Sequence, residues 1–297
     1  MSRRKIVVTI PAFNEESTIE GLIREIKSSL GACGYQYKIL VVDDGSTDAT
    51  AELARKSGAV VLSHPYNCGL GETFRTEIKQ CLEMEADIIV HIDADGQYRP
   101  SEIPLLINEI ENGSDLVLGS RFMGTIEHMP FMKRLGNKMF SSAISQITRF
   151  KIRDAQTGFR AFTSEVARKI EIKSKHTYTQ EQLIKAVKNK FRIKEIPVYF
   201  AKRKDKSRLI NTTFGYAAKA WINIFRIYRD YSPLKTFGLM GSVFFAGGFA
   251  LGLLLLQYFF ATGTMPFTGS LVLTFLLLTV GLFIILFGFL ADMRRED

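Results

Sequence analysis

Short apolar runs rich in β-branched residues alternate with longer stretches whose apolar positions recur every three or four residues. Lys5–Ile10, Tyr37–Val42, Ala59–Leu62, Ile88–Ile92 and Leu116–Gly119 have the first pattern and predict strands. Thr18–Leu30, Asp48–Ser57, Glu72–Met84 and Ser101–Glu111 have the second and predict helices. This alternation predicts an α/β domain, a mostly parallel sheet covered by helices on both faces. In such sheets ligands bind beyond the carboxyl ends of the strands. Polar residues crowd there. Pro11-Ala-Phe-Asn-Glu15 follows the first strand, Asp43-Asp-Gly-Ser46 the second and Asp93-Ala-Asp-Gly-Gln97 the fourth.

The pattern then changes. Phe237–Phe260 and Gly269–Leu290 are unbroken apolar stretches, and no Asp, Glu, Lys, Arg or His lies between Lys235 and Asp292. About twenty apolar residues cross a hydrocarbon core as a helix, so the two stretches predict a transmembrane hairpin joined near Gly263 and Pro266. Arg226, Arg229 and Lys235 precede it, Arg294 and Arg295 follow it, and the link is uncharged. The excess of positive charge on cytoplasmic flanks then predicts that both termini and the N-terminal domain are cytoplasmic. Upstream, Phe214, Ala218, Trp221, Phe225 and Tyr228 fall on one helical stripe, with Lys219, Asn223, Arg226 and Asp230 opposite. That periodicity predicts an amphipathic helix in the headgroup plane. The expected organisation is therefore a catalytic domain over 1–210, the interfacial helix over 211–232 and the hairpin over 233–297.

Charge and composition narrow the function. The net charge of +9 is carried almost wholly before the apolar tail, which suits a membrane surface or an anionic ligand. No zinc-finger spacing or RNA-binding aromatic signature is present, so no nucleic-acid partner is expected. Cys33, Cys68 and Cys81 have no metal-ligand spacing, and their odd number fits a reducing compartment. Arg3, Arg4 and Lys5 before an apolar run mimic a signal peptide, but Pro11 ends that run after about six residues, too few for such a segment. Gly69-Leu-Gly71 lacks the third glycine of a dinucleotide fingerprint, and neither a Walker A loop nor a Gly-x-Ser-x-Gly elbow occurs.

The chemistry centres on Asp93 and Asp95, two carboxylates at the mouth of an apolar strand. They repel each other unless a cation compensates. Mg²⁺ or Mn²⁺ takes such hard oxygen donors together with phosphate oxygens, which is what a nucleotide-sugar site requires. Asp44-Gly45-Ser46 also reads as a turn entering a helix. His64, His91 and His176 have no partner pattern and read as structural.

Pro11-Ala-Phe-Asn-Glu15, Val42-Asp-Asp-Gly-Ser46, Asn67-Cys-Gly-Leu-Gly71, Asp93-Ala-Asp-Gly-Gln97 and Gly119-Ser-Arg121, in this order, resemble the family 2 glycosyltransferases with a GT-A fold. Within them the chain looks most like the dolichyl-phosphate mannose or glucose synthases. The resemblance covers roughly residues 5 to 210. It implies inverting transfer of a sugar from a nucleotide sugar to a polyisoprenyl phosphate. It also implies site roles. Pro11, Ala12, Phe13, Asn14 and Glu15 would border the nucleotide base, and Asp43 and Asp44 would hold base and ribose. Asp93, Ala94 and Asp95 would meet nucleotide and metal, with Gln97 as a further metal contact. Arg121, Arg134 and Lys138 would receive the acceptor phosphate, although Lys138 stands where family members carry a hydroxyl. Arg203 lies in the loop Lys202-Arg-Lys-Asp-Lys-Ser-Arg208, which resembles the family's mobile basic loop and reads equally as a polybasic patch on anionic lipid. Asp154, in Asp154-Ala-Gln-Thr-Gly-Phe159, would line the cavity. Glu181 stands where many hydroxyl-directed relatives carry an acidic base.

A lipid phosphate has a second pKa near 6 and is mostly ionised at neutral pH, so positioning and charge balance can replace a general base. Transfer to another lipid or glycan hydroxyl, and an inactive nucleotide-sugar-binding scaffold, are the competing readings. The processive-synthase motif Gln-x-x-Arg-Trp is missing, and Asp93, Asp95 and Arg121 are intact, which favours the lipid-phosphate enzyme. The sugar, the base and whether the chain forms a homo-oligomer stay open.

Overall fold

A computed structural model of the chain describes residues 4–174, 178–202, 224–264 and 267–293. It divides into two compact units, Met1–Ala217 and Ala218–Asp297. In the first unit β1 (Lys5–Ala12), α1 (Ile19–Ala32), β2 (Gln36–Asp43), α2 (Thr50–Lys56), β3 (Val60–Ser63), α3 (Leu70–Glu83) and β4 (Ile88–His91) follow one another as the alternation predicts. A short 3₁₀ turn leads into α4 (Ile103–Glu111), followed by β5 (Leu116–Ser120) and α5 (Phe131–Thr148). Then come β6 (Arg160–Thr163), α6 (Ser164–Lys169), α7 (Thr179–Lys188) and β7 (Ile193–Pro197).

The strands form one seven-stranded sheet in the order β3-β2-β1-β4-β6-β5-β7. Every pairing is parallel except those of β6, which runs antiparallel to both β4 and β5. Side chains alternate across the pleat. Ile6, Val8 and Ile10 of β1 and Ile88 and Val90 of β4 join the main core with Ile19, Ile23 and Ile26 of α1 and Leu106 and Ile107 of α4. Thr9 and His91 have the opposite parity, and Phe74, Glu77 and Cys81 of α3 are buried near that second face.

The second unit holds residues 224–231, which are helical, then α8 (Pro233–Thr262) and α9 (Thr268–Met293). At 30 and 26 residues, both helices are long and apolar enough to cross a membrane. Only 11% and 17% of their most apolar windows are buried, so these are not core helices of a soluble domain. Glycines let them approach closely. A β-carbon at Gly241 would lie 2.6 Å from the Gly281 carbonyl oxygen, and one at Gly281 would lie 2.6 Å from the Phe245 nitrogen. Within 224–231, Ile224 and Ile227 are buried and Phe225 is exposed. The rest of the expected interfacial helix, Arg203, most of its basic loop and His176 lie outside the described residues.

Candidate active site

Strand register collects the candidate residues. Ala12 pairs with Asp43, Asp43 with Ser63, and Thr9 with His91, so the carboxyl ends of β1 to β4 lie side by side. Antiparallel β6 begins at Arg160, which pairs with both His91 and Leu118. The loop before it, 154–159, therefore arrives at the same edge.

The first two loops are stapled together. Asn14 adopts a left-handed backbone (φ 54°), which asparagine tolerates better than most residues. Its backbone N–H donates to Ser46 Oγ (2.8 Å), and its side-chain oxygen accepts from the Thr47 N–H (2.8 Å). The Glu15 N–H donates to Thr50 Oγ1 (2.8 Å). Asp43 is buried and accepts from the Ser46 N–H (3.0 Å). Asp44 is turned to the third loop. It accepts from the backbone of Cys68 and Gly69, each at 2.9 Å, and lies 2.8 Å from His64 Nδ1. The Asp44, His64 and Cys68 donor atoms lie within 4.8 Å of one another. His64 Nε2 is also engaged, by Thr76 Oγ1 at 2.9 Å, so this group is an internal hydrogen-bond network. Asn14 and Asp44 thus tie their own loops to neighbouring ones, while Phe13 is more than a third exposed.

Asp93 and Asp95 are partly exposed, and Ala94 and Gln97 are buried. The Gln97 N–H donates to Asp95 Oδ1 (3.1 Å), closing a turn. The Gln97 side-chain amide donates to the Ala201 carbonyl (3.0 Å), which leaves its oxygen as the end able to meet a metal. A β-carbon at Gly158 would overlap the Asp93 carboxylate, so Asp93 lies directly on that glycine backbone. Behind it, His91 Nδ1 is 2.9 Å from Glu77 Oε2, with both side chains fully buried. Burial alone opposes charge on the imidazole, but Glu77 and Asp93 raise it above its ordinary value, and burial raises Glu77.

Arg121 and Asp154 form one buried unit. Arg121 Nε donates to Asp154 Oδ2 (2.8 Å), and its terminal nitrogen to Oδ1 (2.7 Å). The Arg121 guanidinium and the Lys138 ammonium each lie 5.9 Å from the Phe122 ring centre, and Arg134 is exposed on the same helix as Lys138. Glu181 is committed elsewhere. It accepts from the backbone of Lys173 (3.0 Å) and Ser174 (2.9 Å) and pairs with Lys185 (2.7 Å). Arg160 has no sequence signal, yet it is fully buried and laces the site loop to α7. It donates to the carbonyls of Thr157 (2.8 Å), Ala155 (2.9 Å) and Thr179 (2.9 Å).

The sequence profile described as Glycosyl transferase family 2 matches residues 7–171. A UDP-N-acetylglucosamine–dolichyl-phosphate N-acetylglucosaminyltransferase of Methanococcus voltae is 31% identical, over 67% of this chain and 86% of that one. A polyprenol monophosphomannose synthase of Mycolicibacterium smegmatis is 30% identical, over 67% of this chain and 78% of that one. The fold also matches glucosyl-3-phosphoglycerate synthase of Mycobacterium tuberculosis, solved with Mn²⁺, UDP and phosphoglyceric acid. That match has a TM-score of 0.60 and 22% identity, covering 76% of this chain and 78% of that one. With its parallel sheet, its acidic strand ends and the profile spanning more than half its length, the chain belongs to glycosyltransferase family 2 and is a glycosyltransferase.

Proposed function

We propose that the enzyme transfers a hexose, with inversion, from GDP-mannose, UDP-glucose or UDP-N-acetylglucosamine to dolichyl or polyprenyl phosphate at the cytoplasmic face of a membrane. One observation carries the choice of acceptor. The acidic residues that the resemblance puts at a cavity wall and at a general-base position, Asp154 and Glu181, are held by Arg121 and by Lys185 with two backbone N–H groups. An acceptor that arrives already ionised needs no such base. The names of the relatives from Methanococcus voltae and Mycolicibacterium smegmatis support the same acceptor class.

Asp93 and Asp95, with the Gln97 side-chain oxygen, offer hard donors that fit Mg²⁺ or Mn²⁺. Bound there, the ion would neutralise charge on the departing diphosphate. The protein's own part is to fix these carboxylates on a rigid strand end and to border the nucleotide with Pro11, Ala12, Phe13, Glu15 and Asp43. Arg121, Arg134 and Lys138, together with Arg203, would meet the acceptor phosphate. The positive flanks of the hairpin support a cytoplasmic catalytic domain. Purified enzyme is to be incubated with labelled nucleotide sugars, Mg²⁺ or Mn²⁺ and polyprenyl phosphate. Labelled lipid that survives mild base but not mild acid is the expected product. Label found only on glycan or on a base-labile lipid overturns the acceptor, and no transfer from any donor favours the scaffold reading.

A further inference from the structure

A buried carboxylate–imidazole pair lies behind the metal-binding turn, and no step proposed above uses it. Glu77 of α3 and His91 of β4 are both fully buried. His91 Nδ1 is 2.9 Å from Glu77 Oε2 and 3.3 Å from Thr9 Oγ1. The edge of the ring meets Phe74 and Tyr178, with centroids 5.5 and 4.9 Å away, so the imidazole has little freedom to turn. Its other nitrogen, Nε2, makes no hydrogen bond among the described residues and lies 3.8 Å from Asp93 Oδ1. His91 is the last residue of β4, and the chain carries Asp93 two residues beyond it with its carboxylate near the same ring nitrogen.

We propose that Glu77 and His91 are positioning residues for Asp93: the pair directs an Nε2–H at the Asp93 carboxylate and holds it in the orientation that meets metal and diphosphate. The inference rests on the proposed role of Asp93. An Nε2 lone pair would face the Asp93 carboxylate with no hydrogen between them, which is costly in an apolar surrounding, whereas a hydrogen on Nε2 together with one shared between Nδ1 and Glu77 meets both carboxylates. With hydrogen on Nε2, about 1 Å of movement brings the contact to hydrogen-bond length. Gly158 lies against the same carboxylate, with no room for a side chain between them. Asp93 is then bounded by the Gly158 backbone as well as by the imidazole. Groups that hydrogen-bond a metal's ligands orient them in this way, and their removal typically costs about 10- to 100-fold in metal affinity.

The test measures Mn²⁺ bound in the presence of UDP or GDP by electron paramagnetic resonance, nucleotide affinity in EDTA, and thermal melting. His91→Asn keeps an amide near Glu77 but offers no donor toward Asp93. His91→Gln places an amide N–H near the Nε2 position. Glu77→Leu/His91→Leu removes the pair as a unit and leaves no buried charge unpaired. We expect His91→Asn and the double variant to bind Mn²⁺ about tenfold more weakly, with nucleotide affinity in EDTA unchanged. His91→Gln should stay within about threefold of the parent. Equal Mn²⁺ affinity in the Asn and Gln variants, or parental affinity in the double variant, overturns the proposal. A parent enzyme whose nucleotide binding is indifferent to Mn²⁺ fails earlier, at the reading of Asp93 itself, and takes this inference with it.

Discussion

Gly158 shows how one absent side chain sets the position of the carboxylate proposed to hold the metal. Its backbone is the surface on which Asp93 rests, and a methyl group there would occupy the carboxylate's space. Gly158→Ala should therefore leave a folded protein that melts within a few degrees of the parent. Its turnover should fall about tenfold to a hundredfold, since displacing a reacting group by about 1 Å costs on that order. Unchanged turnover would mean that Asp93 works from some other position. Glu181 and Asp95 make the complementary comparison. Glu181→Gln keeps an acceptor for the Lys173 and Ser174 amides and loses the ion pair with Lys185. Stability should drop by about 1 to 2 kcal/mol, with turnover within several-fold of the parent. Asp95→Ala should lose at least about a hundredfold, roughly 3 kcal/mol of barrier. Equal losses in the two variants, both folded, would restore Glu181 as a base and remove the argument for an ionised acceptor.

Among the elements, the hairpin helices depend on close backbone approach, because lipid tails leave no hydrophobic force to drive them together. Gly281→Leu must push the helices apart at Gly241 and Phe245, whereas Gly247 has open space around it. In detergent, Gly281→Leu should melt several degrees lower than the parent and Gly247→Leu should not. Equal melting of the two would show that the helix contact contributes nothing measurable. The apolar length of these helices was legible in sequence because it needs no partner to be recognised. The same holds for β1, β2 and β4, whose runs are continuous, and so for Asp43, Asp93 and Asp95 at their ends. β6 and β7 were not among the strands predicted from apolar runs. β6 is four residues long and begins with an arginine, and Lys194 and Glu195 break the apolar pattern of β7. β6 becomes a strand because β4 and β5 on either side supply hydrogen bonds, and β7 because β5 does. Glu77, His91 and Gly158 were hidden for the same reason. Glu77 is 14 positions from the histidine it meets, and only packing shows that Gly158 lies under Asp93.

At the scale of the whole molecule, a basic catalytic unit is followed by a helical hairpin with no charge between Lys235 and Asp292. Charges next to a span are costly to carry across a bilayer, and lysine and arginine near span ends set orientation. Arg229 before α8, Lys235 in its first turn, and Arg294 and Arg295 after α9 thus act in the same direction, and the link at Gly263 and Thr264 offers no opposing charge. The topology can be read with thiols. Cys33 is exposed on the catalytic unit, and Thr264 is exposed in the link. In Thr264→Cys, a membrane-impermeant maleimide applied to intact cells should label the introduced thiol and leave Cys33 unmodified, and lysis should expose both. In a second variant carrying Cys33→Ser as well, the signal from intact cells should be unchanged. Labelling of Cys33 before lysis would turn the catalytic unit outward, away from the cytoplasmic pool of nucleotide sugars. The glycosyl transfer would then need a donor from the other side, and the cytoplasmic assignment would fail while the family assignment stood.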